Sequence, residues 1–255
     1  MPERITSRTN PRVKALREAL GKRKGQCIAI EGFHLVREAI ASGLQMETLY
    51  LREDQEPVLR QLPPDAAREV LLLSVDAFKA ATETEQAQGI AATLSRPHQT
   101  YAPRTGDLLL IADGLQDPGN LGTLIRSAEA FGAAAVALTT GTADPWNGKC
   151  LRASAGAAFR VPLPLYDDPL HDALRAVDAR LLAAVATNGT AAHASDLTGT
   201  IALIIGNEGN GVSERLLQQA DGKITLATTG PTESLNAAVA GSLLLYEASQ
   251  QRNFR

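Results

Sequence analysis

Leu108-Leu-Leu-Ile-Ala112-Asp113-Gly-Leu-Gln-Asp117-Pro118-Gly119-Asn120-Leu-Gly122-Thr123-Leu-Ile-Arg126-Ser127-Ala128 is the stretch that decides the fold. Five uninterrupted apolar residues fit a strand covered on both faces. Asp117-Pro118-Gly119 then turns the chain into a helix for which Asn120 is the natural N-cap. Downstream the alternation continues: strand 134–138, helix 149–155, strands 180–186 and 201–205, helix 212–219, strand 224–226 and helix 235–251. Strand and helix taking turns in this way predict an α/β fold with a mostly parallel sheet. Upstream, Asn10-Pro11 caps a helix that Gly21 ends, with Val13, Leu16 and Leu20 on one side; strands at 27–30, 49–51 and 70–73 and helices at 33–41 and 58–61 follow. Between the two halves, residues 96–106 hold Pro97, Pro103 and Gly106 and no apolar period, the composition of a linker. The expected organisation is a smaller domain over 1–95, a linker over 96–106 and a larger domain over 107–255.

Composition narrows the function classes. At 44% hydrophobic residues the chain can bury a sizeable core. No apolar run approaches the roughly 20 residues of a membrane span, and the N-terminus lacks the apolar core of a secretion signal, so a cytoplasmic protein away from membranes is expected. Cys27 and Cys150 have no Cys or His companion at ligand spacing, which argues against a zinc site or a disulfide framework. The net charge of −3 hides an asymmetry. Residues 1–24 hold Arg4, Arg8, Arg12, Lys14, Arg17, Lys22, Arg23 and Lys24 against Glu3 and Glu18, a local +6 that leaves −9 for the remainder. That end is the candidate polyanion contact, the alternative being a solvated helix face. With 4% aromatic residues and one Trp, Trp146, base-stacking platforms are few, so any recognition of a nucleic acid would rest on shape and phosphate.

Three segments carry chemistry. In the first, Thr123 and Ser127 share a helix face with Asn120, and Arg126 lies one turn on; the pattern fits either a phosphate or ribose site at the helix start, or a plain cap with a surface Arg paired to Glu129 or Asp113. In the second, the strand 201–205 runs into Gly206-Asn207-Glu208-Gly209-Asn-Gly211, whose glycines let the backbone approach a ligand. Its G-x-x-G-x-G spacing is not the dinucleotide fingerprint, and no Lys-Ser/Thr of a phosphate loop follows. In the third, Glu233-Ser234-Leu235-Asn236 opens a helix whose stripe Leu235, Val239, Leu243 and Tyr246 reads as core; Ser234 and Asn236 are helix caps or site residues.

Asn120-x-Gly122-Thr123-x-x-Arg126-Ser127-Ala128, Ile204-Ile-Gly206-Asn-Glu208-Gly-x-Gly211 and Ser234-Leu235-Asn236-x-x-x-Ala240 together resemble the three motifs of the SpoU (TrmH-type) branch of the SPOUT RNA methyltransferases. Leu151-Arg152-Ala-Ser154-Ala-Gly156-Ala-Ala-Phe159 is similar to a further family segment. Ile5-Thr-Ser-x-x-Asn10-Pro, Glu31-Gly-x-His34-Leu-Val-x-Glu38-Ala and Thr82-Glu-Thr84-Glu-x-x-Gln88-Gly89-Ile90 resemble the family's ribosomal-protein-like RNA substrate-binding domain. The resemblance implies methyl transfer from S-adenosylmethionine to a ribose 2'-hydroxyl of RNA, ribosomal RNA first and transfer RNA second, without a metal. It also implies a homodimer and a C-terminal domain tied in a trefoil knot. By resemblance, Arg126 activates the hydroxyl, Asn120 holds the nucleotide or the arginine, and Glu208, Ser234 and Asn236 complete the polar surround. Cofactor contacts fall on Thr187, Asn188, Gly189, Gly206, Asn207, Gly209, Gly211, Ile224, Leu226 and Leu235, and RNA contacts on Arg8, Arg12, Lys14 and Arg152. A guanidinium with a pKa above about 12 is a poor base, so Arg126 is read as a phosphate-binding and charge-stabilising group, the proton leaving through phosphate or water. The rivals are a noncatalytic RNA-binding or ribosome-assembly factor and a nucleotide-binding metabolic enzyme; the intact polar set speaks against the first and the missing phosphate fingerprint against the second.

Overall fold

The computed structural model describes residues 2–21, 27–82, 88–97, 99–230 and 234–253. Lys22, Arg23, Lys24, Glu233 and the Glu-Thr84-Glu of the upstream motif lie outside the described residues. The chain divides into two compact units, one built from 1–98 together with 146–159 and the other from 99–145 together with 160–255. The segment from Trp146 to Phe159 thus belongs to the larger domain in sequence and to the first unit in space.

The first unit contains β1 (Glu3–Ile5), α1 (Pro11–Gly21), β2 (Cys27–Glu31), α2 (Phe33–Ala41), β3 (Met46–Arg52), β4 (Ala67–Leu73), α3 (Val75–Ala81) and β5 (Ile90–Ser95). Its sheet has the order β1-β4-β3-β5-β2, parallel on the β1-β4-β3 side and antiparallel through β5 to β2. Val13 and Leu16 of α1 and Ala77 and Phe78 of α3 pack with Ile5, Tyr50, Leu71 and Leu73 in one core cluster. Asn10 serves the start of α1: its Oδ1 accepts the Arg12 N–H at 2.8 Å, as the Asn-Pro reading requires. The helix expected at 58–61 is instead a 3-10 turn over Glu53–Gln61, because Pro57 sits inside it and removes a backbone donor. Short elements without a strong apolar period, β1, α3 and β5, escaped the sequence reading.

In the second unit, β6 (Leu108–Ala112), α4 (Pro118–Ala130) and β7 (Ala135–Leu138) precede the excursion that carries α5 (Gly148–Ser154). Then come α6 (Asp168–Ala176), β8 (Arg180–Ala184), β9 (Thr190–Ala191), β10 (Ile201–Ile205), α7 (Glu214–Gln219), β11 (Gly222–Thr225) and α8 (Ala237–Asn253). The sheet order is β7-β6-β10-β8-β11-β9 and every pairing is parallel, with Ile201–Ile205 aligned to Leu108–Ala112. All ten of those aligned residues are buried, which explains their unbroken apolar character. Leu109, Ile111, Ala202 and Ile204 form one cluster with Leu170 and Leu174 of α6 and Leu216 of α7, while Ile205 lies against α8 on the opposite face. Central strands β6 and β10 carry their C-terminal ends side by side, the place where open parallel sheets collect ligands.

Two details correct the sequence reading. Asp117, not Asn120, caps α4: its Oδ1 accepts the Gly119 N–H at 2.7 Å, and Pro118 takes the first helical position, where its missing N–H costs nothing. The stripe Val239, Leu243 and Tyr246 does not enter the core; these residues are 48%, 43% and 47% exposed, whereas Ala238, Leu244, Leu245 and Ala248 are buried. Small residues set that choice. A Cβ at Gly241 would strike Leu124 Cδ2 and press on Ile205, so α8 approaches α4 and β10 closely at that glycine, with Leu244 and Leu245 buried and Val239, Leu243 and Tyr246 left exposed.

Candidate active site

Gly206 follows directly from β10 and starts a turn closed by reciprocal backbone bonds, Asn207 N–H to Gly211 O and Gly211 N–H to Asn207 O, both at 2.9 Å. Asn207 shapes this turn from within: its Oδ1 accepts the Gly209 and Asn210 N–H groups at 2.9 and 3.1 Å, and its Nδ2 donates to Gly114 O at 2.8 Å. The glycine is obligatory at 206, where a Cβ would fall inside the contact radius of the Gly211 carbonyl carbon and the Val212 nitrogen.

The turn forms one wall of a crevice of about 280 Å³. Of the expected cofactor residues, Gly206, Asn207, Gly209, Gly211, Ile224, Leu226 and Leu235 line it, together with Glu208 and Ser234 of the expected catalytic set. Thr187, Asn188 and Gly189 do not; the wall there is Ala184, Val185 and Ala186 at the end of β8, just before them in the chain. Gly189 instead lets the chain pass close beneath the backbone of Ile224 and Thr225, and Asn188 adopts the left-handed φ of 61° that such a bend requires. Residues 184–186 and Leu244 carry no motif, being small or apolar residues at a strand end or on a helix, and Thr228 is a loop residue without a distinguishing neighbour.

Beside the crevice runs a hydrogen-bonded line of three side chains. Asn236 Oδ1 accepts the Ala238 and Val239 N–H groups at 2.9 and 3.2 Å, capping α8. This fixes its amide, so Nδ2 donates to Asn120 Oδ1 at 3.1 Å, and Asn120 Nδ2 donates in turn to Glu208 Oε1 at 2.8 Å. Asn236 is thus a helix cap that also bonds to Asn120. Glu208 Oε2 also accepts the Gln116 N–H at 3.3 Å. Partial burial pushes the Glu208 carboxyl upward, but the Asn120 amide and the backbone N–H groups of Glu208, Gln116 and Asp117 outweigh it and hold the carboxyl below its usual 4.5. At the entry to α4, Asp117 takes the Gly119 N–H and Glu208 takes the Gln116 N–H just before the helix.

Arg126 is exposed on α4 and is not among the crevice-lining residues. Neither surface partner considered for it is free. Glu129 pairs with Arg160 at 2.5 Å, and Asp113 is buried and bonded to Ser213 N and Thr139 Oγ1. Among the described residues, no side chain pairs with the Arg126 guanidinium. In the first unit, Arg8 pairs with Asp76 and Arg12 with Glu69, each at 2.9 Å, while Lys14 and, on α5, Arg152 are exposed. Exposed ion pairs of this kind hold about 0–1 kcal/mol, little against an arriving phosphate.

The chemistry of the lining selects a ligand class. Among the described residues, Glu208 is the one ionisable side chain on the crevice wall, and the rest is apolar side chain, hydroxyl, amide and backbone. That wall offers no cation to hold a pyrophosphate, which disfavours nucleoside phosphates. A neutral adenosine carrying a cationic sulfonium fits it, with the anion of Glu208 at one end.

Comparisons agree with this geometry. Residues 107–246 match the model of the SpoU rRNA Methylase family, and residues 10–92 match the MRM3-like substrate binding domain. The 23S rRNA (guanosine(2553)-2'-O)-methyltransferase RlmP of Bacillus subtilis is 39% identical over 249 residues, 96% of this chain and 98% of that one. The SpoU methyltransferase AviRb of Streptomyces viridochromogenes, solved with AdoMet, superposes with a TM-score of 0.84 at 26% identity, covering 96% of this chain and 99% of that chain. An AdoMet-bound rRNA methyltransferase of Sinorhizobium meliloti gives 0.86 at 27% identity, covering 99% and 98%. With its glycine turn, its carboxamide line and its parallel sheet in place, the chain belongs to the SpoU rRNA methylase family.

Proposed function

We propose that the protein transfers the methyl group of S-adenosylmethionine to the 2'-hydroxyl of one ribose in ribosomal RNA. The observation that carries this reading is the Asn236–Asn120–Glu208 line set against a crevice without cations. S-Adenosylmethionine in the crevice supplies an electrophilic methyl group on a sulfonium. The ribose oxygen forms the new O–C bond as the C–S bond breaks, and the hydroxyl proton leaves to phosphate or water. Collinear alignment of oxygen, carbon and sulfur contributes about 7–11 kcal/mol of barrier lowering in reactions of this type. Gly206, Asn207, Gly209, Gly211, Ile224, Leu226 and Leu235 hold the cofactor, joined by Val185, Thr228 and Leu244; Thr187, Asn188 and Gly189 act through the chain path behind Ile224. Asn120 and Asn236 each keep one amide N–H outside the line for the nucleotide, and Ser234 stands with them.

Arg126 binds the phosphate next to the target ribose and stabilises charge on its oxygen. Because that side chain stands outside its own chain's crevice, the active form is a homodimer. The exposed Val239, Leu243 and Tyr246 of α8 supply the apolar contact. Replacing Leu243 with Asp is expected to yield a monomer by sedimentation, with methylation lost while cofactor binding persists; a dimer of unchanged mass would remove α8 as the contact.

Residues 1–95 serve as the RNA substrate-binding domain, with Lys14 and Arg152, and with Arg8 and Arg12 released from their ion pairs, meeting phosphate. Residues 96–106 are a linker, and 107–255 form the methyltransferase domain with its chain in a trefoil knot. The protein works in the cytoplasm, on RNA; among the described residues, no helix is long and apolar enough to cross a membrane. Mapping ribose methylation in total RNA with and without the gene tests the whole reading. One rRNA position is expected to lose its methyl group in the deletion and to regain it with the wild-type gene but not with Arg126→Ala. Loss confined to tRNA would overturn the substrate, and no loss anywhere would overturn the activity.

A further inference from the structure

Asp113 is a buried carboxylate, 7% exposed, that the proposed chemistry does not use. Among the described residues it has no ion-pair partner, and each oxygen is held by a neutral donor: Oδ2 accepts the Ser213 N–H at 2.7 Å and Oδ1 the Thr139 hydroxyl at 3.1 Å. Burying a charge among neutral donors is costly, so the site is built rather than incidental. The next residue continues the arrangement. Gly114 N–H is shared by Thr139 Oγ1 at 2.9 Å and Thr142 Oγ1 at 3.1 Å, and the Thr142 hydroxyl donates to Ala112 O at 2.9 Å. Gly114 O accepts Asn207 Nδ2 at 2.8 Å.

Two consecutive residues at the end of β6 therefore tie both ends of the glycine turn, Gly114 its entry through Asn207 and Asp113 its exit through Ser213. Thr139 and Thr142, from the turn after β7, lock the pair in place. We propose that Asp113 is a positioning residue that holds the 206–213 turn in its cofactor-binding shape before the cofactor arrives. The inference rests on the reading of the crevice as the S-adenosylmethionine site. It extends that reading to residues that do not line the crevice, since neither Asp113, Thr139 nor Thr142 is on its wall. A turn shaped in advance loses less conformational freedom on binding, and the gain appears as affinity.

Calorimetric titration of the full chain with S-adenosylmethionine tests this, together with amide hydrogen exchange of the 206–213 segment in the free protein. Asp113→Ala removes both acceptors, and its dissociation constant is expected to rise about tenfold, with faster exchange confined to the turn. Asp113→Asn, which can still accept from Ser213 N–H through its oxygen, is expected to recover part of that loss. Should Asp113→Ala fail to fold, Thr139→Val removes one hydroxyl at nearly constant shape and is expected to weaken binding in the same direction. Unchanged affinity and exchange in Asp113→Asn and Thr139→Val would overturn the proposal, as would faster exchange spread over the whole sheet, which marks a stability role alone. Wild-type protein that does not bind S-adenosylmethionine overturns the reading of the crevice instead, so the two failures are distinct.

Discussion

A single methyl group added at Gly206 is expected to raise the S-adenosylmethionine dissociation constant about 100-fold, an effect out of proportion to its size. The reason lies in what the methyl meets. Its neighbours are backbone atoms, Gly211 C and O and Val212 N, and not the end of a side chain that can rotate away. Relief requires opening the turn, which breaks the reciprocal Asn207–Gly211 bonds and pulls Asn207 Nδ2 from Gly114 O. Overpacking of this kind costs about 1–3 kcal/mol of stability, so the Gly206→Ala protein remains folded and its binding defect can be read by calorimetry. An affinity within about threefold of wild type would show that the turn is not a wall of the cofactor site.

Exchanging Asn120 for aspartate is expected to cut the single-turnover methylation rate about 100-fold and to reverse the pH dependence of stability. In the wild type the Asn120 amide donates to Glu208 and accepts from Asn236. Aspartate keeps the acceptor and loses the donor, so two carboxylates meet where one hydrogen bond of 2.8 Å stood, and one of them must take up a proton. The signs are opposite. Wild-type Glu208, held below 4.5, contributes stability that is present above that pH and is lost as pH falls through its folded value. In the Asn120→Asp variant, the new carboxylate and Glu208 form a pair with one pKa raised above the unfolded range of about 4. The folded form then binds the extra proton, and stability declines as pH rises through the raised value. Thermal unfolding from about pH 2 to about pH 8 reads both slopes. Parallel profiles for the two proteins, or a variant as fast as wild type, would remove Asn120 from the polar line.

Most of the candidate site's geometry was legible because its residues must be of particular kinds. Gly206 admits no Cβ, Asn236 has to cap a helix while offering an amide, and Glu208 accepts backbone N–H groups of the loop before α4; such demands leave marks at fixed spacing. The misses have the opposite cause. Val185 and Leu244 line the crevice as ordinary apolar residues, and nothing in their neighbours distinguishes them from core. The N-cap of α4 was misplaced by three residues because Asp117 and Asn120 are both good caps, and only the observed bonds assign one to the helix and the other to Glu208.

Local chemistry along the chain was enough to determine the alternating α/β class, the buried central strands 108–112 and 201–205, and the three polar segments at their ends, since periodicity and turn chemistry act over a few residues. Tertiary structure decided which side of α8 is buried, that Trp146–Phe159 packs with the first unit, and that Asp113 and Gly114 grip the glycine turn far along the chain. Each of these depends on contacts between distant segments: how closely two helices approach at Gly241, or which backbone donor a buried carboxylate meets. No local rule specifies them.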